Sequence, residues 1–239
     1  MERQTITRRR LSDEVVDRLE GLIHSGEFEL GEKLPSERDL MERFSVGRPS
    51  VREALFSLQK MGLVAITSGE RARVTKPTPK TVLNSLSGTV RHLLSDAPGV
   101  RQLQEARLFF EVGLARDAAS NAGEEDIARL EEALAENHRA IGDAQAFERT
   151  DVNFHYVLAE IPKNPVFVAI HEAVVGWLTE QRNIALKNKA TEPRAYAWHA
   201  KIFSAIADHD VDGAEHAMRE HLGDVSQLYW RAKEGAETG

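Results

Sequence analysis

The stretch from Leu34 to Thr75 constrains the fold more than any other part of this chain. Ser36, with Asp39 three residues later, has the capping-box pattern that begins a helix. Apolar residues follow at helical spacing and predict a short amphipathic helix. Ser45-Val46-Gly47 is the predicted turn, in which Gly47 can adopt backbone angles that other residues resist. Pro49 suits the first turn of a second helix, where its missing N–H costs nothing.

The second predicted helix separates an apolar stripe from a basic side. The stripe consists of Val51, Leu55 and Leu58. Arg48 and Arg52 lie four residues apart on one side of the helix, off that stripe. Two helices joined by a short glycine turn form a helix-turn-helix, and the first turn or so of its second helix carries the base-reading side chains. We therefore predict that Arg48, Ser50 and Arg52 contact DNA.

Two short apolar runs around a tight turn follow the second helix. They span 63–67 and 71–75, and Ser68-Gly69 lies between them. This pattern predicts a β-hairpin with a basic tip, the wing of a winged helix-turn-helix. An ordinary helical hairpin followed by a β-ribbon with solvated arginines is the alternative.

The successive runs LPSERDL, FSVGRPSVREAL, LQKMGLV and SGERARV resemble the winged helix-turn-helix of the GntR family of bacterial transcription regulators. In that family the arginine of the SER segment, two arginines of the recognition helix and a wing glycine lie on DNA. The resemblance therefore implies DNA contacts from Arg38, Arg48, Arg52 and Gly69, and double-stranded operator DNA as a partner.

The distribution of charge is compatible with this interpretation. The net charge is −7, but residues 1–76 carry 14 Lys/Arg against 13 Asp/Glu and the remainder 17 against 25. Local patches matter more than totals for nucleic-acid binding. The chain has no cysteine, which excludes disulfides and thiolate metal sites. No apolar run reaches membrane-spanning length, so we predict a cytoplasmic protein without a membrane partner.

The segment 77–80 is the predicted domain boundary, because it is polar and contains two prolines. We predict a winged helix-turn-helix domain over 1–76 and an all-α helical bundle over 81–239, which makes the fold mainly α. Breaks in the amphipathic pattern predict six or seven helices in the second domain.

Several histidines fall on apolar helix faces of the second domain. Asp151 and His155 share one face, and His199 and His221 lie on apolar stripes of two later helices. Imidazole suits zinc, nickel, copper or iron, so three histidines and a carboxylate can form a metal site. The alternative for each histidine is a hydrogen-bonded core residue.

The helical half resembles the FCD type of effector domain, which accompanies this DNA-binding head in the FadR-like branch of the family. Its Arg-x-x-x-Glu helix matches Arg107 and Glu111. By that resemblance a divalent metal, zinc with nickel as the alternative, is held by the four residues Asp151, His155, His199 and His221. The effector is usually a small carboxylate-bearing metabolite. Arg107 is the predicted partner of its carboxylate, with Arg182 as a second candidate, although Arg107 could instead form a salt bridge with Glu111.

Longer runs such as DVNFHYVLAEIPKNPVFVAIHEAV resemble the sialic acid (N-acetylneuraminate) repressors of this family. Sialic acid is therefore the predicted effector, and a hexuronate or a small dicarboxylate is the alternative. Symmetric operators imply a homodimer. The competing function class is a metal-dependent enzyme that uses the His/Asp site.

Overall fold

The computed structural model describes residues 9–186 and 191–237 and confirms the mainly α fold class. Contacts divide the chain between Ser85 and Leu86 into two compact units. A helix starts at Pro79, within the predicted linker 77–80. The domain bounds 1–76 and 81–239 stay a prediction.

The first unit is a winged helix-turn-helix. Its elements are α1 (Leu11–His24), α2 (Glu37–Phe44), α3 (Arg48–Lys60), β1 (Val64–Ala65), β2 (Arg73–Val74) and α4 (Pro79–Ser85). The two strands pair antiparallel, with Val64 opposite Val74. They are shorter than predicted, and Gly69 in the turn between them has a φ of +80°, which glycine adopts without strain. The predicted stripe of α3 is buried in a core that α1 and the strands share.

The chain turns between α2 and α3 at the predicted residues 45–47, but the residue with the left-handed conformation is not the predicted one. Ser45, not Gly47, adopts the left-handed conformation, with a φ of 52°. Gly47 has an ordinary φ of −73° and forms the N-cap of α3. The prediction for Gly47 was wrong because the left-handed residue caps the C-terminus of α2, two positions earlier.

The start of α2 is held by the predicted capping box. The Ser36 hydroxyl lies 2.7 Å from Oδ2 of Asp39 and accepts a 3.3 Å bond from the Asp39 backbone N–H. The Ser36 backbone N–H donates back to Oδ2 at 3.0 Å. These bonds satisfy backbone donors that the first turn of a helix leaves without partners.

Replacing Ser36 with alanine is expected to lower the free energy of unfolding by about 0.5–2 kcal/mol. Hydrogen bonds from Ser36 hold the pKa of Asp39 below its ordinary value. The cap therefore stabilises the folded protein fully above the ordinary pKa of aspartate. This stabilisation decreases as the pH falls through the lowered pKa of Asp39. Thermal denaturation of Ser36→Ala and wild type at neutral and acid pH measures both effects.

Ser68→Ala, at an exposed hydroxyl in the turn of the wing, is the matched control and should change stability by less than about 0.5 kcal/mol. Equal stability of Ser36→Ala and Ser68→Ala at neutral pH would contradict the capping argument.

The second unit consists of helices alone among the described residues. They are α5 (Ser87–Leu93), α6 (Ala97–Asn121), α7 (Glu124–Arg139), α8 (Ala144–Glu160), α9 (Pro165–Trp177), α10 (Thr179–Leu186), α11 (Thr191–Ala207) and α12 (Val211–Glu237). The prediction of six or seven helices was too low. The sequence pattern did not reveal the short helix α5 or the interruption between α9 and α10 at Leu178, two residues after Gly176. None of the described helices is both long and apolar enough to cross a membrane.

The main core of the second unit lies where α6, α7, α8, α11 and α12 meet. Phe154 of α8 is fully buried there, and its ring stacks on the ring of His199 with centroids 4.5 Å apart. This packing places histidine rings inside a close-packed apolar region, where a polar group without a partner is costly.

Candidate metal centre and nucleic-acid interface

The two arginines at the start of α3 point into solvent. The side chain of Arg48 is 63% exposed and that of Arg52 is 70% exposed. A groove of about 370 Å³ lies between the start of α2, α3 and the wing, and Arg52 and Arg71 line it. Contact with a phosphate backbone or with base edges requires basic, exposed side chains beside a groove.

The other predicted DNA contacts lie in the same unit. Arg38 is 82% exposed, and its Nε donates to Glu42 at 3.1 Å. Ser50 is half-buried in the first turn of α3, and Gly69 is exposed at the tip of the wing. The contacts of all these residues with DNA stay a prediction.

The second unit brings together the four side chains predicted to hold a metal. Asp151 and His155 come from α8, His199 from α11 and His221 from α12. One ligand atom from each lies within 4.8 Å of the others. The three histidines are fully buried, and Asp151 is 9% exposed.

The hydrogen bonds of His199 fix which of its ring nitrogens carries the proton. The amide nitrogen of Asn137 donates to Oγ1 of Thr150 at 3.1 Å, so Asn137 Oδ1 remains as an acceptor. Nδ1 of His199 lies 2.9 Å from that oxygen and donates to it. Burial lowers the pKa of His199 to about 3, so the ring is neutral and Nε2 presents a lone pair.

His155 is oriented in the same way by Glu111. Nδ1 of His155 lies 2.5 Å from Oε2 of Glu111. Burial raises the pKa of Glu111, but the charge of Arg107 and the close contact with His155 outweigh burial and hold it well below its ordinary value. An ionised carboxylate attracts the ring proton to Nδ1, which leaves Nε2 of His155 as the second lone pair.

The three Nε2 atoms converge. Nε2 of His221 lies 3.2 Å from Nε2 of His155 and 3.2 Å from Nε2 of His199. Burial lowers the pKa of His221 as well, so it has one ring proton and can donate to at most one of its two neighbours. At least one of the two close Nε2 contacts therefore has no hydrogen bond. A shared cation would give all three nitrogens a partner, and neutral imidazoles with a carboxylate are the ligands of zinc-like ions. The four residues fit a divalent metal.

Arg107 is nearly buried beside this cluster. Its Nε donates to Oε1 of Glu111 at 2.6 Å, and its side chain is 12% exposed. The alternative of a salt bridge with Glu111 is therefore present in the structure. Arg107 also lines a cavity of about 30 Å³ together with Gln104, Gln181 and Ser226, which has room for no more than about two water molecules. Its contact with an effector stays a prediction.

The second effector candidate, Arg182, has its backbone in α10. Its side chain lies outside the described residues.

Two residues that support the cluster were missed as site residues. Glu111 was read only as a partner of Arg107, and its second oxygen contacts His155. Asn137 was not considered. It follows Leu130, Ala133 and Leu134 at the spacing of a buried stripe on α7. A polar residue at such a position is the signal that could have identified it, because a buried amide needs hydrogen-bond partners.

The chain matches the models of two protein families. Residues 11–74 match "Bacterial regulatory proteins, gntR family", and residues 102–224 match "FCD domain". The chain is also similar to proteins named "HTH-type transcriptional repressor NanR". It is 45% identical to the one of Klebsiella aerogenes over 97% of this chain and 90% of that protein. It is 44% identical to the one of Enterobacter sp. (strain 638) over 99% and 92%.

Solved structures support the fold. The chain is similar to the Streptococcus agalactiae GntR structure with a TM-score of 0.61, at 23% identity, over 90% of this chain and 99% of that one. The Escherichia coli McbR/YncC structure gives a TM-score of 0.51 at 17% identity, over 94% and 99%.

These relatives are regulators of transcription and not enzymes, which removes the enzyme alternative. With both family models matched in order and a 45% identical relative covering nearly all of its length, the chain belongs to the GntR family of bacterial transcription regulators, in the branch that carries an FCD domain.

Proposed function

We propose that the protein is a cytoplasmic, homodimeric repressor that binds operator DNA and responds to a small carboxylate metabolite, with sialic acid as the specific effector. The observation that carries the DNA-binding part is the pair of exposed arginines at the start of α3. Two such helices in a symmetric dimer read two half-sites in neighbouring major grooves.

In this proposal Asp151, His155, His199 and His221 hold a divalent metal, zinc or nickel. Such an ion supplies a Lewis-acid centre for an effector carboxylate. Glu111 and Asn137 fix the rings of His155 and His199, so that both present Nε2 to the ion. Arg107 provides N–H donors for the same carboxylate.

Sialic acid fits this site by its chemistry. It carries one carboxylate together with several hydroxyl groups, and the cavity beside Arg107 is lined by Gln104, Gln181, Ser226 and Tyr229, all of which can hydrogen-bond hydroxyls. The relatives named NanR support the same effector class. A hexuronate or a dicarboxylate is the alternative within this function.

A gel shift tests the proposal directly. The DNA is the promoter region that flanks the gene for this protein, and the assay is run with and without N-acetylneuraminate. Relief of the shift by this sugar acid, and not by galacturonate or succinate, is the expected result. A shift that none of the three acids relieves would contradict this set of effectors. No shift even at low salt, where phosphate contacts are strongest, would contradict the operator-binding role.

Replacing Arg52 with alanine is expected to weaken operator binding by about 1–3 kcal/mol, which is roughly 5- to 150-fold, if the guanidinium makes a bidentate base contact. Arg48→Ala is expected to have an effect of the same size. Titration of labelled operator DNA at fixed salt measures the loss.

Arg139→Ala is the matched control, because Arg139 is 63% exposed and lies in the second unit. It should leave operator affinity unchanged, whereas wild-type affinity in both Arg48→Ala and Arg52→Ala would contradict the base-reading role.

A further inference from the structure

One carboxylate contacts both arginines at the start of the recognition helix. Oε2 of Glu37 lies 3.7 Å from Nε of Arg48, and Oε1 lies 3.3 Å from Nε of Arg52. Glu37 is the first residue of α2, so the contact joins the two helices of the helix-turn-helix. Its side chain is 38% exposed, which is less than that of either arginine.

Both contacts involve the Nε edge of the guanidinium. A guanidinium carries five N–H donors, of which four are on the two Nη nitrogens. A carboxylate on the Nε side restricts rotation of the planar group and leaves the Nη donors for another partner. A guanine accepts two such donors at O6 and N7, so an arginine held in this way is prepared for bidentate reading of a base edge.

The same carboxylate also changes the charge that DNA meets. Arg48 and Arg52 are like charges four residues apart on one helix, an arrangement that is destabilising on its own. Glu37 reduces the charge of the group from +2 to +1. Phosphate contacts are largely electrostatic and do not read the sequence, so a negative charge beside the arginines weakens binding to DNA of any sequence.

We propose that Glu37 is a specificity-determining positioning residue, which orients Arg48 and Arg52 toward base edges and disfavours their use as phosphate contacts. This inference rests on the proposed base-reading role of the two arginines. It predicts that Glu37 lowers non-specific DNA affinity and raises the ratio of operator affinity to non-specific affinity.

The test uses the full-length protein and two labelled duplexes. One is the duplex that the wild-type protein selects from a random library, and the other is a scrambled duplex of the same composition. Glu37→Gln removes the charge and keeps the size of the side chain. Binding to the scrambled duplex should become tighter, and the affinity ratio should fall about 10-fold or more at fixed salt. An affinity ratio within about twofold of wild type overturns the proposal.

Two further variants separate positioning from charge and from folding. Glu29→Gln removes the same charge from an exposed position in the connection before α2, and its ratio should equal that of wild type. Glu37→Asp keeps the charge but has a shorter reach, so it should retain weak non-specific binding and lose operator affinity. A fall in ratio for Glu29→Gln as large as for Glu37→Gln would show a general charge effect and reject the assignment to Glu37.

Two further measurements complete the experiment: the operator affinity of the arginine variants, and the circular dichroism of every variant. Full operator affinity in both Arg48→Ala and Arg52→Ala rejects the base-reading role itself, whereas reduced affinity in these variants with an unchanged ratio in Glu37→Gln rejects only the role of Glu37. Melting curves followed by circular dichroism verify that each variant is folded at the assay temperature. If Glu37→Gln does not fold, the loss of operator affinity in Glu37→Asp decides.

Discussion

Replacing Arg107 with methionine is expected to lower the free energy of unfolding by about 3–5 kcal/mol, because it leaves a buried carboxylate without its main counter-charge. Glu111 is 1% exposed and its pKa is held well below its ordinary value in part by the charge of Arg107. Chemical denaturation of wild type and Arg107→Met, followed by circular dichroism, measures the difference. A change below about 1 kcal/mol would contradict the argument.

Two comparisons isolate the cause of this loss. Adding Glu111→Gln to Arg107→Met removes the unpaired charge and should recover part of the stability. Arg219 and Glu215 form an ion pair at the same spacing of four residues on α12, but Arg219 is 51% exposed. Arg219→Met should change stability by less than about 1 kcal/mol, since exposed ion pairs contribute little.

Replacing His199 with alanine is expected to lower metal affinity by at least about 100-fold, because it removes one of the converging Nε2 donors. Metal content after dialysis, measured by mass spectrometry, and competition with a coloured chelator give the size of the effect. Operator binding without effector should be unchanged, since the winged helix-turn-helix is a separate compact unit.

His216→Ala is the matched control for this prediction. His216 is an exposed histidine on α12, the helix that carries His221. It should retain the full metal content of wild type. Equal metal content in His199→Ala and His216→Ala would show that His199 is not a ligand.

The capping box and the apolar stripe of α3 could be predicted because both depend on residues that are close in sequence. Ser36 needs only Asp39, three residues away. Ser45 could not be identified as the left-handed residue, because glycine is the residue that local sequence favours there.

The site in the second unit was only partly predictable. The four candidate ligands stand out as polar residues on apolar helix faces, and the family resemblance selected them. The hydrogen bond from His199 to Asn137 joins residues 62 apart in sequence. No local pattern encodes such a contact, and the dual role of Glu111 depends on which face of α8 packs against α6.

Glu111 connects the proposed effector-binding arginine to a proposed metal ligand, since one oxygen accepts from Arg107 and the other lies against His155. Under the proposed roles, the two occupants are thermodynamically linked. The factor by which the ion tightens binding of the acid must equal the factor by which the acid tightens binding of the ion. The sugar-acid concentration needed to release DNA would then depend on how much free metal the cell supplies. A single regulator would in this way respond to both the sugar acid and the metal ion.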